Sequence, residues 1–245
     1  MKTIILAAGY ATRLYPLTEN FPKPLLKVGE KAILDWLIED IHTSGLMDEY
    51  IVISNHKFAA QFRAWAAKRP LPITVVDDGT DTNETRLGAV RDILFAVEAR
   101  DVREDALVLA GDNVLDFSLV PFIRYGREHD CPCVMCYEEN EPAKQRRTAI
   151  ITVDAADTIT GYAEKPEQPQ SNLAVPPFYF YRAQDIRRIP EALAEGCGTD
   201  APGSFAAWLS MRMPMKAYRM PGSRYDIGNL ESYERIKARY RGIVR

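Results

Sequence analysis

The sequence predicts an α/β protein built on a mixed, mainly parallel sheet with helices on both faces. Two observations carry this. Short apolar runs of strand length alternate with amphipathic helical segments through the first half of the chain, and such alternation leads to parallel strands joined by helical crossovers. The first run is also continuously apolar instead of alternating, as strands buried on both faces are.

Taken in order, residues 2–7 (KTIILA) form the first strand. Residues 31–43 follow as a helix with Ile33, Leu34, Leu37 and Ile41 on one face and Gly45 just past its end. EYIVIS is the next strand, 58–68 a helix stopped by Pro70, ITVVD a strand, 88–99 a helix and ALVLAGD another strand. The second half is less regular, with strands at 133–138, 149–153 and 178–181, helices near 184–194 and 204–211, and a closing helix at 229–240. In sheets of this kind ligands gather beyond the carboxyl ends of the strands. Gly9, Asp78, Gly111 and Asp112 all lie just past predicted strand ends, so residues distant in sequence converge there.

The 245 residues, 47% hydrophobic and 27% charged, are enough for a large core. A net charge of -3 and the lack of any block of like charge argue against a nucleic-acid partner. No apolar run approaches the roughly 20 residues that span a bilayer, and the N-terminus enters a strand instead of a signal peptide. The expectation is a cytoplasmic protein with no membrane partner. Cys131, Cys133 and Cys136 lack a second pair at metal-binding spacing, and Cys197 is distant, so they read as small apolar residues.

Behind the first strand, residues 6–28 (LAAGYATRLYPLTENFPKPLLKV) place a glycine turn, Arg13 and Lys23 in one loop. Gly9 allows a tight turn that brings backbone N–H groups to an anion. Arg13 and Lys23 add permanent charge, and Pro16, Pro22 and Pro24 stiffen the loop. Neither G-x-x-x-x-G-K-S/T nor G-x-G-x-x-G occurs. Solvated turns use the same residue types, so the rest of the chain must decide.

The whole string resembles the signature of the nucleotidylyltransferase family that includes glucose-1-phosphate thymidylyltransferases, other sugar-phosphate pyrophosphorylases and phosphocholine cytidylyltransferases. It departs at Ala11, where a second glycine is usual. Downstream, 110–113 (AGDN) is similar to the family's G-D-N, 164–166 (EKP) to its E-K-P, and 171–181 (SNLAVPPFYFY) to a thymidylyltransferase segment. Residues 225–228 (YDIG) are similar to the motif that supplies a second aspartate. The resemblance covers nearly the whole chain. It implies a Rossmann-like fold of nucleotide-diphospho-sugar transferase type, one domain over 1–245, with a nucleotide-binding half at about 1–115. An acceptor-binding half with the second metal ligand would occupy about 116–245, with no β-helix extension.

The implied activity joins an NTP or dNTP to a phosphorylated small-molecule acceptor, a sugar 1-phosphate by first choice, and releases pyrophosphate. The resemblance makes Arg13 and Lys23 catalytic and assigns Mg²⁺ to Asp112 and Asp226. Nucleotide binding falls to Leu6, Ala7, Ala8, Gly9, Asn83, Gly88 and Asp112, with Asn83 standing where relatives often carry glutamine. Acceptor binding falls to Glu164, Lys165, Asn172 and Val175. Ala149 and Pro176–Pro177 depart from the thymidylyltransferase pattern, so phosphocholine or a phosphonate is the alternative acceptor. A non-catalytic nucleotide-binding homologue is the alternative of another class. The three histidines read as solvated or helix-terminal, because this chemistry needs none. The chain is expected to be a monomer or homodimer.

Overall fold

The structure is a computed structural model describing residues 1–244. It begins with β1 (Lys2–Leu6), β2 (Lys27–Val28), β3 (Lys31–Ala32), α1 (Ile33–His42), β4 (Glu49–Ser54), α2 (His56–Ala66) and β5 (Ile73–Asp77). Next come α3 (Ala89–Ala99), β6 (Ala106–Ala110), β7 (Asn113–Leu115), α4 (Val120–Glu128), β8 (Cys133–Glu138), α5 (Pro142–Gln145), β9 (Ala149–Val153) and β10 (Ile159–Glu164). The chain closes with β11 (Leu173–Val175), β12 (Phe178–Tyr181), α6 (Ala183–Ile186), α7 (Ile189–Ala194), α8 (Gly203–Ser210), β13 (Lys216–Arg219), β14 (Arg224–Asp226) and α9 (Leu230–Arg239). The fold is the expected α/β class, with a mixed sheet whose core is parallel. Two compact units are formed: residues 1–87, 110–121 and the chain from 221, and residues 88–109 with 122–220.

In the first unit β1, β4 and β5 run parallel, with Leu6 opposite Ile53 and Ile53 opposite Val76. Ile4 and Ile5 of β1 and Tyr50, Ile51, Val52 and Ile53 of β4 are fully buried, as an unbroken apolar strand requires. Helix α1 buries Ile33, Leu34, Leu37, Ile38 and Ile41 at helical spacing. Asn55 caps α2 by accepting from the Phe58 N–H at 3.0 Å.

Helix α9 opens on a capping box in which Asn229 and Ser232 exchange side-chain-to-backbone hydrogen bonds. It then locks two distant segments. The Tyr233 hydroxyl donates to the Lys27 carbonyl at 2.8 Å and the Tyr240 hydroxyl to the Leu115 carbonyl at 2.7 Å. Around them Leu14, Leu26, Val28, Ile33, Val114, Ile227 and Ile236 form a satellite core.

In the second unit β12 pairs antiparallel with β6 and β8, β11 with β8 and β9, and β9 with β10, while β13 runs parallel to β8. The four residues of β12 are buried on both faces. Cys133 and Cys136 are buried within β8, and all four cysteines are free thiols. The helix expected at 184–194 is instead two short helices, α6 and α7. Pro190 explains the break: it has no N–H to bond one turn back, and its ring clashes with the preceding turn. The sequence does not predict strands β2, β3, β7, β10, β11, β13 and β14, and β3 takes the first two residues of the helix expected at 31–43; most of them are only two to four residues long, too short for a period to declare itself.

Gly126 of α4 lies against Phe180, and a Cβ built there overlaps the ring, 2.6 Å from Cδ1. Gly126→Ala is expected to lose stability. Overpacking costs about 1–3 kcal/mol, which exceeds the ~1 kcal/mol that alanine gains over glycine within a helix. Urea unfolding measures the difference, and a stabilised variant would mean that the ring moves aside freely.

Candidate active site

The loop after β1 is fixed from several sides. The Ala7 N–H donates to the Ile53 carbonyl at 2.9 Å. Next, the Ala8 carbonyl accepts from buried Asn55 Nδ2 at 2.8 Å. Tyr10, 5% exposed, donates its hydroxyl to the Thr80 carbonyl at 3.0 Å. The Ala11 carbonyl accepts from Thr18 Oγ1 at 2.8 Å. Between these anchors Gly9 is exposed, and a Cβ there would meet nothing within 4 Å.

The left-handed residue of this turn is Ala11, at φ 48° and ψ 42°, where it caps the 3-10 turn Thr12–Leu14. The conformational freedom expected at Gly9 is therefore needed two residues later. There the sequence has alanine in place of the usual glycine.

Lys23 opens a second 3-10 turn, Lys23–Leu25, between Pro22 and Pro24. The turn buries the lysine to 7% exposure and aims Nζ at Asp112 Oδ2, 2.6 Å away. Asp112 follows Gly111, whose N–H donates to the Leu6 carbonyl at 2.9 Å. A Cβ on Gly111 would lie 2.8 Å from Ile5 Cγ2, so this close approach requires glycine. Burial works to raise the Asp112 pKa, but the charge and hydrogen bond of Lys23, with Arg224 beyond, prevail and lower it.

Asp226 reaches the same region by strand pairing. β14 lies antiparallel to β7 with Asp226 opposite Asn113, the residue after Asp112. Asn113 is buried and tied to the Ala110 carbonyl at 3.0 Å, while its own Oδ1 accepts from Arg224 Nη1 at 3.0 Å. Asp226 is exposed, and its Oδ2 lies 3.6 Å from where a Cβ of Gly228 would sit.

A cleft of about 200 Å³ joins these parts. Leu6, Ala7, Gly9, Ala11, Arg13 and Lys23 line it from the loop, with Ala110, Asp112, Ile227 and Gly228 on the other side. Ala8, Asn83, Gly88 and Asp226 are not among its lining residues. Ala8 is turned toward Asn55. Asn83 uses its Oδ1 to accept from Arg86 Nη1 at 3.1 Å. Gly88, at φ 89°, caps α3 in the second unit, where a Cβ would lie 2.6 Å from the Thr199 carbonyl oxygen. That close approach gives its glycine a packing reason of its own.

The residues expected at the acceptor belong to the second unit. Lys165 is exposed at φ 49°, donates its N–H to the Thr148 carbonyl at 3.1 Å, and holds Nζ 3.9 Å from Asp200. Glu164 precedes it at the end of β10, half-buried, and burial raises its pKa against the pull of Lys165. Ala149 pairs with Glu164 on one side and Val175 on the other. Asn172 donates from Nδ2 to Asn140 Oδ1 at 3.0 Å. Among the described residues no cluster of three or more His, Cys, Asp or Glu side chains could hold a metal, and no helix is long and apolar enough to cross a membrane.

The cleft brings together backbone, one buried lysine, one exposed arginine and Asp112 at the carboxyl ends of parallel strands, where ligands gather in sheets of this kind. The chain belongs to the nucleotidyl transferase family, whose sequence model matches residues 2–242. It is 27% identical over 249 residues to a UTP–glucose-1-phosphate uridylyltransferase, AglF, of Haloferax volcanii, covering 98% of this chain and 96% of that protein. It is also 27% identical over 251 residues to a glucose-1-phosphate adenylyltransferase of Thermomicrobium roseum. That match covers 94% of this chain but only 57% of the relative's length. Among solved structures, a UDP-glucose pyrophosphorylase complexed with UDP-glucose superposes at a TM-score of 0.81 and 20% identity, covering 97% of both chains.

Two outcomes follow from the geometry. Ala11→Gly relieves a left-handed alanine that costs roughly 1–2 kcal/mol and gives up about 0.5–1 kcal/mol of backbone entropy. A modest rise in stability by urea unfolding is expected; a fall would show that the Ala11 methyl packing on the satellite core matters more. Glu164 has a raised pKa, so the folded chain holds a proton that the unfolded chain releases. Its contribution is therefore greatest below the ordinary carboxylate range and is lost as pH rises through the raised pKa. Glu164→Gln should remove that decline, seen as a stability difference from the parent that grows with pH and then levels. A difference independent of pH would refute the assignment.

Proposed function

We propose that this protein transfers a nucleotidyl group from a nucleoside triphosphate to a sugar 1-phosphate, forming a nucleotide sugar and releasing pyrophosphate. The observation that carries this is the pairing of Lys23 with Asp112 inside the cleft behind β1. The reaction brings two anions together and adds charge at the α-phosphorus, so fixed positive groups must be in place before it begins. Lys23, held by two prolines and a buried stem, is such a group at the α-phosphate. Arg13, exposed on the cleft wall, offers a planar fork to the departing pyrophosphate. Gly9 leaves open space in which the phosphates meet backbone N–H groups.

Asp112 and Asp226 suit magnesium. Asp112 already accepts a cation, the ammonium of Lys23, and strand pairing sets Asp226 beside Asn113. Two carboxylates are a normal protein share for this ion, which draws its remaining ligands from water and substrate phosphates. When bound it would neutralise phosphate charge. Lys165 would meet the acceptor phosphate as a permanent charge, with Asn172 and Val175 close by in sequence and sheet. Asn83 would meet the base through the amide N–H₂ left over after its contact with Arg86. Arg13, Lys23, Asp112 and Asp226 are all present, which favours an enzyme over a silent binding homologue.

The test is pyrophosphate release with Mg²⁺, the common NTPs and dNTPs, and a panel of sugar 1-phosphates. Release from at least one pair is expected, and a broad panel without any would defeat the proposal. Asp112→Asn and Asp226→Asn should each cut turnover by about 10²–10³-fold, comparable to losing one preorganised electrostatic group; the melting temperature should stay close to the parent's for exposed Asp226 and fall for Asp112, whose loss leaves buried Lys23 without its counter-charge. Full activity in either variant would remove that residue from the site.

A further inference from the structure

Cys131 and Cys133 stand two residues apart where the chain enters β8, in the second unit. Cys133 is fully buried, and its sulfur turns back along the chain so that the S–H donates to the Cys131 carbonyl at 3.3 Å. Cys131 is half-buried, and the two side chains also share a thiol–thiol hydrogen bond. The sulfurs are therefore neighbours before any chemistry begins.

Their surroundings treat the two thiols in opposite ways. The hydrogen bond from Cys133, then the charges of His129 and Lys216, hold the Cys131 thiol below its ordinary range in spite of partial burial. Lys216 lies opposite Cys133 on β13 and is itself fixed, donating Nζ to the Ala156 carbonyl at 2.6 Å and to Thr158 Oγ1 at 3.0 Å. Asp130, which would oppose a thiolate beside it, is paired with Arg182 at 2.6 Å. The contact with Cys131, together with burial, raises the Cys133 thiol. Cys131 is thus the sulfur that ionises and that a small reagent can reach, while Cys133 keeps its proton. Burial holds the Cys136 and Cys197 thiols above their ordinary range, which makes them the less reactive comparison within the same chain.

We propose that Cys131 and Cys133 are a redox-modification site, at which a hydroperoxide converts the paired thiols into a disulfide. The Cys131 thiolate attacks one peroxide oxygen and becomes a sulfenic acid; the O–O bond breaks, and the departing hydroxide takes up the proton that Cys131 had given to solvent. The Cys133 sulfur then attacks the Cys131 sulfur. The S–S bond forms, the S–O bond breaks, and the Cys133 proton leaves with the hydroxyl as a second water. With hydrogen peroxide, two thiols lose two electrons and one peroxide is reduced to two waters. The site is independent of the transferase function proposed above.

The test is treatment of the full chain with an equimolar amount of hydrogen peroxide, followed by thiol titration and peptide mass mapping. Free thiols should fall from four to two per chain, the peptide that holds both residues should lose two hydrogens, and dithiothreitol should restore all four thiols. Cys131→Ser should keep its remaining thiols under the same treatment. Cys133→Ala, which leaves a small apolar side chain in β8, should stop at a sulfenic acid on Cys131 that dimedone traps. Unchanged thiols in the parent, or loss of Cys136 or Cys197 ahead of Cys131, would overturn the site. A sulfenic or sulfinic acid persisting on Cys131 of the parent, with no disulfide, would overturn the part given to Cys133, and that measurement decides even where Cys133→Ala does not fold.

Discussion

The contact on which the first unit depends is that between the Lys23 ammonium and the Asp112 carboxylate, 2.6 Å apart. A lysine 7% exposed keeps its charge only beside a compensating group, and removing one partner of such a pair leaves the other charge buried and uncompensated. Much of the surrounding structure sets their positions. Pro22 and Pro24 confine the backbone of Lys23, and Gly111 allows the Asp112 strand end within 2.9 Å of the Leu6 carbonyl. Helix α9 then fixes the segment after Lys23 through Tyr233 and the strand after Asp112 through Tyr240. The last helix of the chain thus stabilises residues near its start.

Two of the five described non-glycine residues with positive φ lie in the sequence motifs; the other three are aspartates, which adopt that region more readily. Ala11 and Lys165 are both non-glycine residues with positive φ, a state that costs of order 1–3 kcal/mol and persists only where the surroundings over-determine it. At Ala11 the Thr18 hydroxyl and the packing of the satellite core do so; at Lys165 the N–H bond to Thr148 does.

The legible parts of the fold were those written locally. KTIIL and EYIVIS declared themselves because burial on both faces demands unbroken apolar runs, ITVVD, an edge strand with only Val76 buried, through its β-branched residues, and α1 because its period is 3.6. The phosphate loop was legible as a loop with a tight turn at Gly9, but its left-handed residue is Ala11, where no glycine announced it. Asp226 had no local signature. It approaches Asp112 through a three-residue strand whose partner lies far earlier in the chain, and only a family resemblance could find it.

The two units treat charge and depth differently, and the chemistry of the proposed substrates explains why. A phosphate carries full negative charge, so an exposed arginine or lysine on its path suffices to attract and orient it; Arg13 and Lys165 are both exposed. A neutral hydroxyl offers no such field. In water its hydrogen bonds are exchanged for equivalent ones at a net gain of about 0.5–1.5 kcal/mol, so discrimination between hydroxyl patterns requires groups withdrawn from solvent. Glu164 is withdrawn in that way and bears the expected cost, a carboxyl pKa raised by burial. Lys23 is the exception among the cations, buried where it meets Asp112. On the proposed chemistry it lies where charge grows during the reaction, and there low dielectric strengthens each interaction and justifies the desolvation.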